Sequence, residues 1–113
     1  MIKNVSKNRI LAKESKLCRS ILSKTKGLMF SAKPKPLVFT FSKEERWSLH
    51  MLFVFFPIDV LWLNKDKKVV DIRQKFRPFS LLAKPQKKAR YIIELPAGAI
   101  KNSRTEIGDK ILF

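Results

Sequence analysis

Three side chains in this sequence stand where acid–base or ligand-binding chemistry could occur. His50, Asp59 and Glu94 are polar residues embedded in strongly apolar runs. Burial of such groups shifts their pKa values, and perturbed groups gather at functional sites. Brought together, they could hold a small ligand, with Met51 beside His50 adding a soft apolar contact. The alternative is scaffolding: each hydrogen-bonds backbone at a strand end, as buried polar groups must in any fold. His50 and Asp59 are nine positions apart, which places them on opposite sides of a continuous strand and half a turn apart on a helix. They meet only if the chain bends between Val54 and Pro57.

Other chemistry has less support. One histidine, one cysteine and scattered carboxylates give no metal-ligand spacing, so no metal is expected. The glycines form no phosphate-cradling loop, and no Walker-type lysine follows them, so no cofactor is expected. No serine sits on a nucleophile elbow. No catalytic residue is named, and the reading leans towards a non-enzymatic binding or accessory protein. A small-molecule-modifying enzyme using His50 with Asp59 or Glu94 is the weaker alternative.

The elements that must position these groups can be read from pattern. The run WSLHMLFVFFPIDVLWL, residues 47–63, is the most apolar of the chain. Its 17 residues fall short of the roughly 20 that a membrane span needs. Pro57 breaks it, and a central Asp59 costs roughly 2.5–3.5 kcal/mol in a bilayer. It therefore predicts two buried strands around a break, not a transmembrane segment. Further strands are expected at 9–12 (RILA), 37–41 (LVFTF), after the turn NKDK at 64–67 (VVDI), at 90–95 (RYIIEL) and at 109–113 (DKILF). KPKP at 33–36 reads as a loop, since proline has no amide donor for a sheet. Leu17, Ile21, Leu22 and Leu28 recur at helical spacing, with Ser15 as N-cap and Gly27 as C′ residue, predicting a helix over 15–26. A short helical piece is expected around Ala99–Ser103, after Pro96-Ala97-Gly98.

The result is a single α+β domain over residues 1–113, mainly β. It is expected to be a small, twisted or partly closed antiparallel sheet or barrel with a short N-terminal helix, residues 1–11 forming a basic strand or tail.

The charge is +16, from 25 Lys+Arg against 9 Asp+Glu. Residues 1–36 carry +9, residues 37–63 carry −1 and residues 64–113 carry +8. The excess thus avoids the apolar middle and lies on its flanks. Such a surface attracts RNA or another anionic surface, led by Lys84, Lys87, Lys88 and Arg90. The competing reading is surface drift, since most of these residues are lysine, a solvated point charge and not a geometric reader. The lone cysteine, Cys18, rules out an intrachain disulfide; with no signal peptide evident, a cytoplasmic setting is expected.

Separated motifs arrive in a familiar order: Gly27-Leu28-Met29, then Met51 with Pro57-Ile58-Asp59, then Leu95-Pro96-Ala97-Gly98, then Gly108-Asp109. Over about residues 12–113 the chain resembles the family called domain of unknown function 192. The resemblance implies a compact β-rich domain with a helix near its start, and no established activity. One departure is that Leu52-Phe53 stands where many relatives carry a Lys-Asn pair. A pocket lined by that pair elsewhere is greasier or absent here.

Overall fold

A computed structural model describes residues 1–18, 36–46, 57–76 and 85–113. Among these, the strands are β1 (Ile2–Asn4), β2 (Arg9–Ala12), β3 (Lys16–Cys18), β4 (Leu37–Glu45), β5 (Ile58–Leu63), β6 (Val69–Phe76), β7 (Ala89–Pro96) and β8 (Ile111–Leu112). One helix, α1 (Ala99–Ser103), lies between β7 and β8.

Every residue of strand β5 is buried. Its partners are β7 on one side and β6 on the other, both antiparallel, in a sheet of order β3-β4-β7-β5-β6. Side chains alternate across a strand, so β5 serves two cores. Ile58, Val60 and Trp62 pack with Leu37, Phe39 and Ile92 on one face. Leu61 and Leu63 pack with Val38, Ile93 and Leu95 on the other. Full burial of an aliphatic side chain of this size contributes about 1.5–3 kcal/mol, so β5 anchors both layers.

The second core also receives Ile2, Ile100 and Ile111. They come from α1 and from a smaller sheet of order β2-β1-β8. A bridge between Lys68 and Lys110 joins the two sheets. It is reinforced by Gly108 N–H donating to the Val69 carbonyl at 2.8 Å and Ile111 N–H donating to the Lys67 carbonyl at 2.9 Å. Gly108 has φ of 96°, a left-handed conformation that side chains resist.

The expected NKDK turn joins β5 to β6. Asn64 Oδ1 accepts the N–H groups of Asp66 and Lys68, both at 3.0 Å. This is the local bonding that makes asparagine a turn residue. Beyond the expected end at Phe41, β4 continues to Glu45 with a register shift after Thr40.

Two expectations are corrected. The helix among the described residues is the C-terminal Ala99–Ser103, not an N-terminal one. Where the 15–26 helix was to begin, Lys16–Cys18 is instead a strand, parallel to β4 with Leu17 opposite Val38. The edge of β4 offers unpaired backbone groups, and pairing with them outweighs the marginal stability of a short lysine-rich helix. Residues 19–26 lie outside the described residues, as do 47–56, which hold the first of the two strands expected in 47–63. The barrel is the second correction: among the described residues neither sheet closes on itself. On β6 the register shifts against β5 between Ile58 and Val60, and Lys75 takes φ of 49°. A bulge bends a strand and blunts its edge against further pairing.

Candidate functional site

Asp59 and Glu94 began as equivalent, each a carboxylate inside an apolar strand. Register separates them. Glu94 lies opposite Val60 on β5 and Leu37 on β4, so it shares the face of Ile58, Val60 and Trp62. Asp59 lies opposite Leu95 and shares the other face, with Leu61 and Leu63. The sheet therefore stands between the two carboxyl groups. His50 and Met51, the other members of the expected set, lie outside the described residues.

Asp59 is only 1% exposed, and its carboxylate is occupied. Oδ1 accepts the Lys75 N–H at 2.9 Å. Oδ2 accepts the N–H of Gly98 at 3.0 Å and of Ile100 at 2.9 Å. The last two donors sit at the start of α1, where helix N–H groups lack internal partners and a negative charge is stabilised. Gly98, at φ of 99°, turns the chain so that both donors face the same oxygen. One side chain thus fastens the bulge in β6 to the turn that starts the helix.

Glu94 is 3% exposed and has the opposite character. Its Oε2 is buried without a hydrogen-bond partner among the described residues. Burial raises its pKa from 4.5 to about 8. At neutral pH the group is therefore a carboxylic acid, with a proton to donate inside an apolar layer. Among the described residues, no group of His, Cys, Asp and Glu side chains is placed to hold a metal ion.

The basic residues expected to meet a polyanion divide in the same way. Lys87 and Lys88 are exposed just before β7. Arg90 is half-buried, and its Nε donates to the Phe41 carbonyl at 3.1 Å, so it helps to hold β7 against β4. Lys84 lies outside the described residues.

Sequence reading missed a polar cluster joining the two ends of the chain. Asn4 is fully buried. Its Nδ2 donates to Thr105 Oγ1 at 3.0 Å and to Asp109 Oδ2 at 2.9 Å. Lys7 Nζ donates to Asp109 Oδ1 at 3.0 Å and to Glu106 Oε2 at 3.3 Å. Burial pushes the Asp109 carboxyl up, but bonds from Asn4, the Glu106 N–H and Lys7 outweigh this and hold it below the ordinary value. The bond to Asp109 in turn raises Lys7. Only the Gly108-Asp109 motif hinted at this site; nothing in the first strand marks Asn4 as its partner. The cluster is satisfied internally and reads as a fastener, not as a receptor.

Comparison with known proteins agrees with this picture of a shared scaffold. The family model DUF192, described as uncharacterized, matches residues 2–113. A UPF0127 protein of Pyrococcus horikoshii is 37% identical over 113 residues, covering 98% of this chain and 96% of the relative. A UPF0127 protein of Thermococcus kodakarensis is also 37% identical, over 98% of this chain and 71% of its own length. Among solved structures, a protein of unknown function from Novosphingobium aromaticivorans superposes with a TM-score of 0.82 at 20% identity, covering 88% of this chain and 74% of its own. Another, from Sinorhizobium meliloti, carries a provisional description as a transcription regulator. It superposes with a TM-score of 0.81 at 22% identity, over 87% of this chain and 79% of that one. At these identities the solved structures share the fold.

Proposed function

The chain belongs to the DUF192 family, and from that premise we propose that it is a binding module and not a catalyst, with Glu94 as the group that meets its ligand. The observation that carries this reading is the unpartnered Oε2 of Glu94. A buried polar group left without a partner costs about 1–3 kcal/mol, and a fold keeps such a group for a reason. Asp59 and Asp109 are different, since backbone and side-chain donors occupy both. Asp59 is therefore assigned to the scaffold, while His50 and Met51 stay with Glu94 in the proposed site on their sequence pattern.

The ligand follows from the protonation state. A neutral carboxylic acid in an apolar layer suits a small, mostly apolar molecule that accepts a hydrogen bond through a carbonyl or amide oxygen. N,N-dimethylacetamide is a suitable probe, since it accepts but cannot donate. With protein labelled at its glutamate carboxyl carbons, the probe should bind saturably, move the Glu94 resonance and lower the fraction of ionised Glu94 at pH 8. Binding should weaken about tenfold in Glu94→Leu, corresponding to about 1.4 kcal/mol for the lost bond. Equal affinity in both proteins, or an unmoved Glu94 resonance, would rule the reading out.

A second reading, association with RNA or another polyanion, draws on the adjacent exposed Lys87 and Lys88 and the charge of +16. Each phosphate contact releases counterions, so affinity for a single-stranded RNA should fall with salt by about 0.7 log unit per contact per decade. The double variant Lys87→Ala/Lys88→Ala should reduce that slope by about 1.4. Undetectable binding of polyuridine at low salt would leave the charge as surface composition alone.

A further inference from the structure

On the face of the large sheet away from Glu94, a cleft of about 320 Å³ opens beside Leu17, Val38, Thr40, Lys67, Tyr91 and Phe113. We propose that it is a second binding site, one that takes a small organic carboxylate with a flat apolar body. Lys67 is the centre of the argument. Its backbone is pinned from both sides: the N–H donates to the Asn64 carbonyl and the carbonyl accepts the Ile111 N–H, each at 2.9 Å. It also takes φ of 61°, which is uncommon for a residue with a side chain. Backbone held this way gives the side chain a fixed origin.

The ammonium is directed as well as anchored. Lys67 Nζ stands 4.2 Å from the centre of the Phe113 ring and 6.0 Å from that of Tyr91. The two rings meet edge to face, with centroids 5.1 Å apart and planes at 72°. The negative faces of aromatic rings hold a cation without neutralising its charge. Among the described residues no carboxylate side chain lines the cleft, and Lys67 has no salt-bridge partner. A positive charge is thus presented at an apolar wall, with no carboxylate side chain beside it among the described residues.

The rest of the lining selects the class of anion. Leu17, Val38, Tyr91 and Phe113 supply apolar surface, while Thr40 and Ser15 add hydroxyl-bearing side chains. The Lys67 ammonium matches a negative charge, and the walls match a ring or short chain. An inorganic phosphate would leave those walls unused. The volume is at the small end of the range for ligand pockets, about 300–1,000 Å³, which suits a molecule of the size of benzoate.

The experiment titrates benzoate, benzamide and inorganic phosphate into the ¹⁵N-labelled full chain and follows the backbone amides of Val38, Thr40 and Tyr91. Benzoate should give saturable shifts with a Kd on the order of 1 mM. Benzamide, which keeps the ring and loses the charge, and phosphate, which keeps charge and loses the ring, should each bind at least about tenfold more weakly. Lys67→Met should weaken benzoate by a similar factor, whereas Lys67→Arg should stay within about threefold of the original, with thermal melts confirming that both variants fold. Benzamide equal to benzoate would reduce the cleft to an apolar dent. Phosphate equal to benzoate would reduce it to a bare cation. Either result, unchanged affinity in Lys67→Met, or no saturable shift overturns the proposal.

Discussion

Raising the pH from about 4.5 to about 8 should destabilise this protein by several kcal/mol, and Glu94→Gln should remove most of that dependence. The sign follows from where the proton resides. In the folded chain burial holds the Glu94 pKa at about 8, whereas an unburied glutamate titrates near 4.5. Between these values the unfolded chain has released a proton that the folded chain retains. Each pH unit in the window then costs about 1.4 kcal/mol of folding free energy. The loss is complete above the folded pKa and absent below the unfolded one.

Glutamine keeps the shape and cannot ionise, so its stability should be nearly flat across the window and exceed that of the original chain at pH 8. Urea unfolding at half-unit pH intervals gives the curves. His50 is the one histidine, the residue type whose ordinary pKa lies in this window, so His50→Gln serves as the control and should leave the slope in place. A flat curve for the unaltered chain, or an equally steep one for Glu94→Gln, would show that Glu94 does not carry the pH dependence. That outcome would also remove the support for its role in binding.

The second large effect belongs to Asp59. Asp59→Ala should cost about 3 kcal/mol, because three backbone N–H groups lose one shared acceptor and two of them begin a helix. Asp59→Asn should cost about half as much. One carbonyl oxygen can serve either the Gly98 and Ile100 donors or the Lys75 donor, while its NH₂ faces an N–H on the other side. For a domain of this size the alanine variant should melt roughly 10–15 °C lower. Amide exchange at Gly98, Ile100 and Lys75 should accelerate ahead of exchange in β5. A loss under about 1 kcal/mol would mean that water replaces the carboxylate and that α1 does not depend on it.

These two residues also mark how far local pattern reaches. Both carry a carboxylate, both interrupt an apolar run, and parity predicts only that each strand has two faces. Which face meets a row of donors depends on the partner strand and its register. Pairing Asp59 with Leu95 brings its carboxylate to the turn at Gly98, and pairing Glu94 with Val60 and Leu37 encloses it in hydrocarbon. Neither pairing can be computed from residues that lie more than thirty positions apart without the fold. Lys16–Cys18 makes the same point for secondary structure: Leu17 opens a helical spacing in the sequence, but these three residues pair with the edge of β4.

By itself, the sequence determined the mainly β character, the positions of strands β5 and β7, the Asn64 turn, the short helix after Gly98 and the family. All of these rest on alternation, turn chemistry or separated motifs, which are short-range properties of the chain. Only the tertiary structure decided that Asn4 and Lys7 fasten the first strand to Asp109 and that, among the described residues, the sheets stay open and Asp59 is satisfied while Glu94 is not. Those outcomes depend on which distant backbone groups arrive beside a side chain. Burial makes that arrival decisive, because a polar group removed from water is stabilised by the partner it meets or strained by its lack.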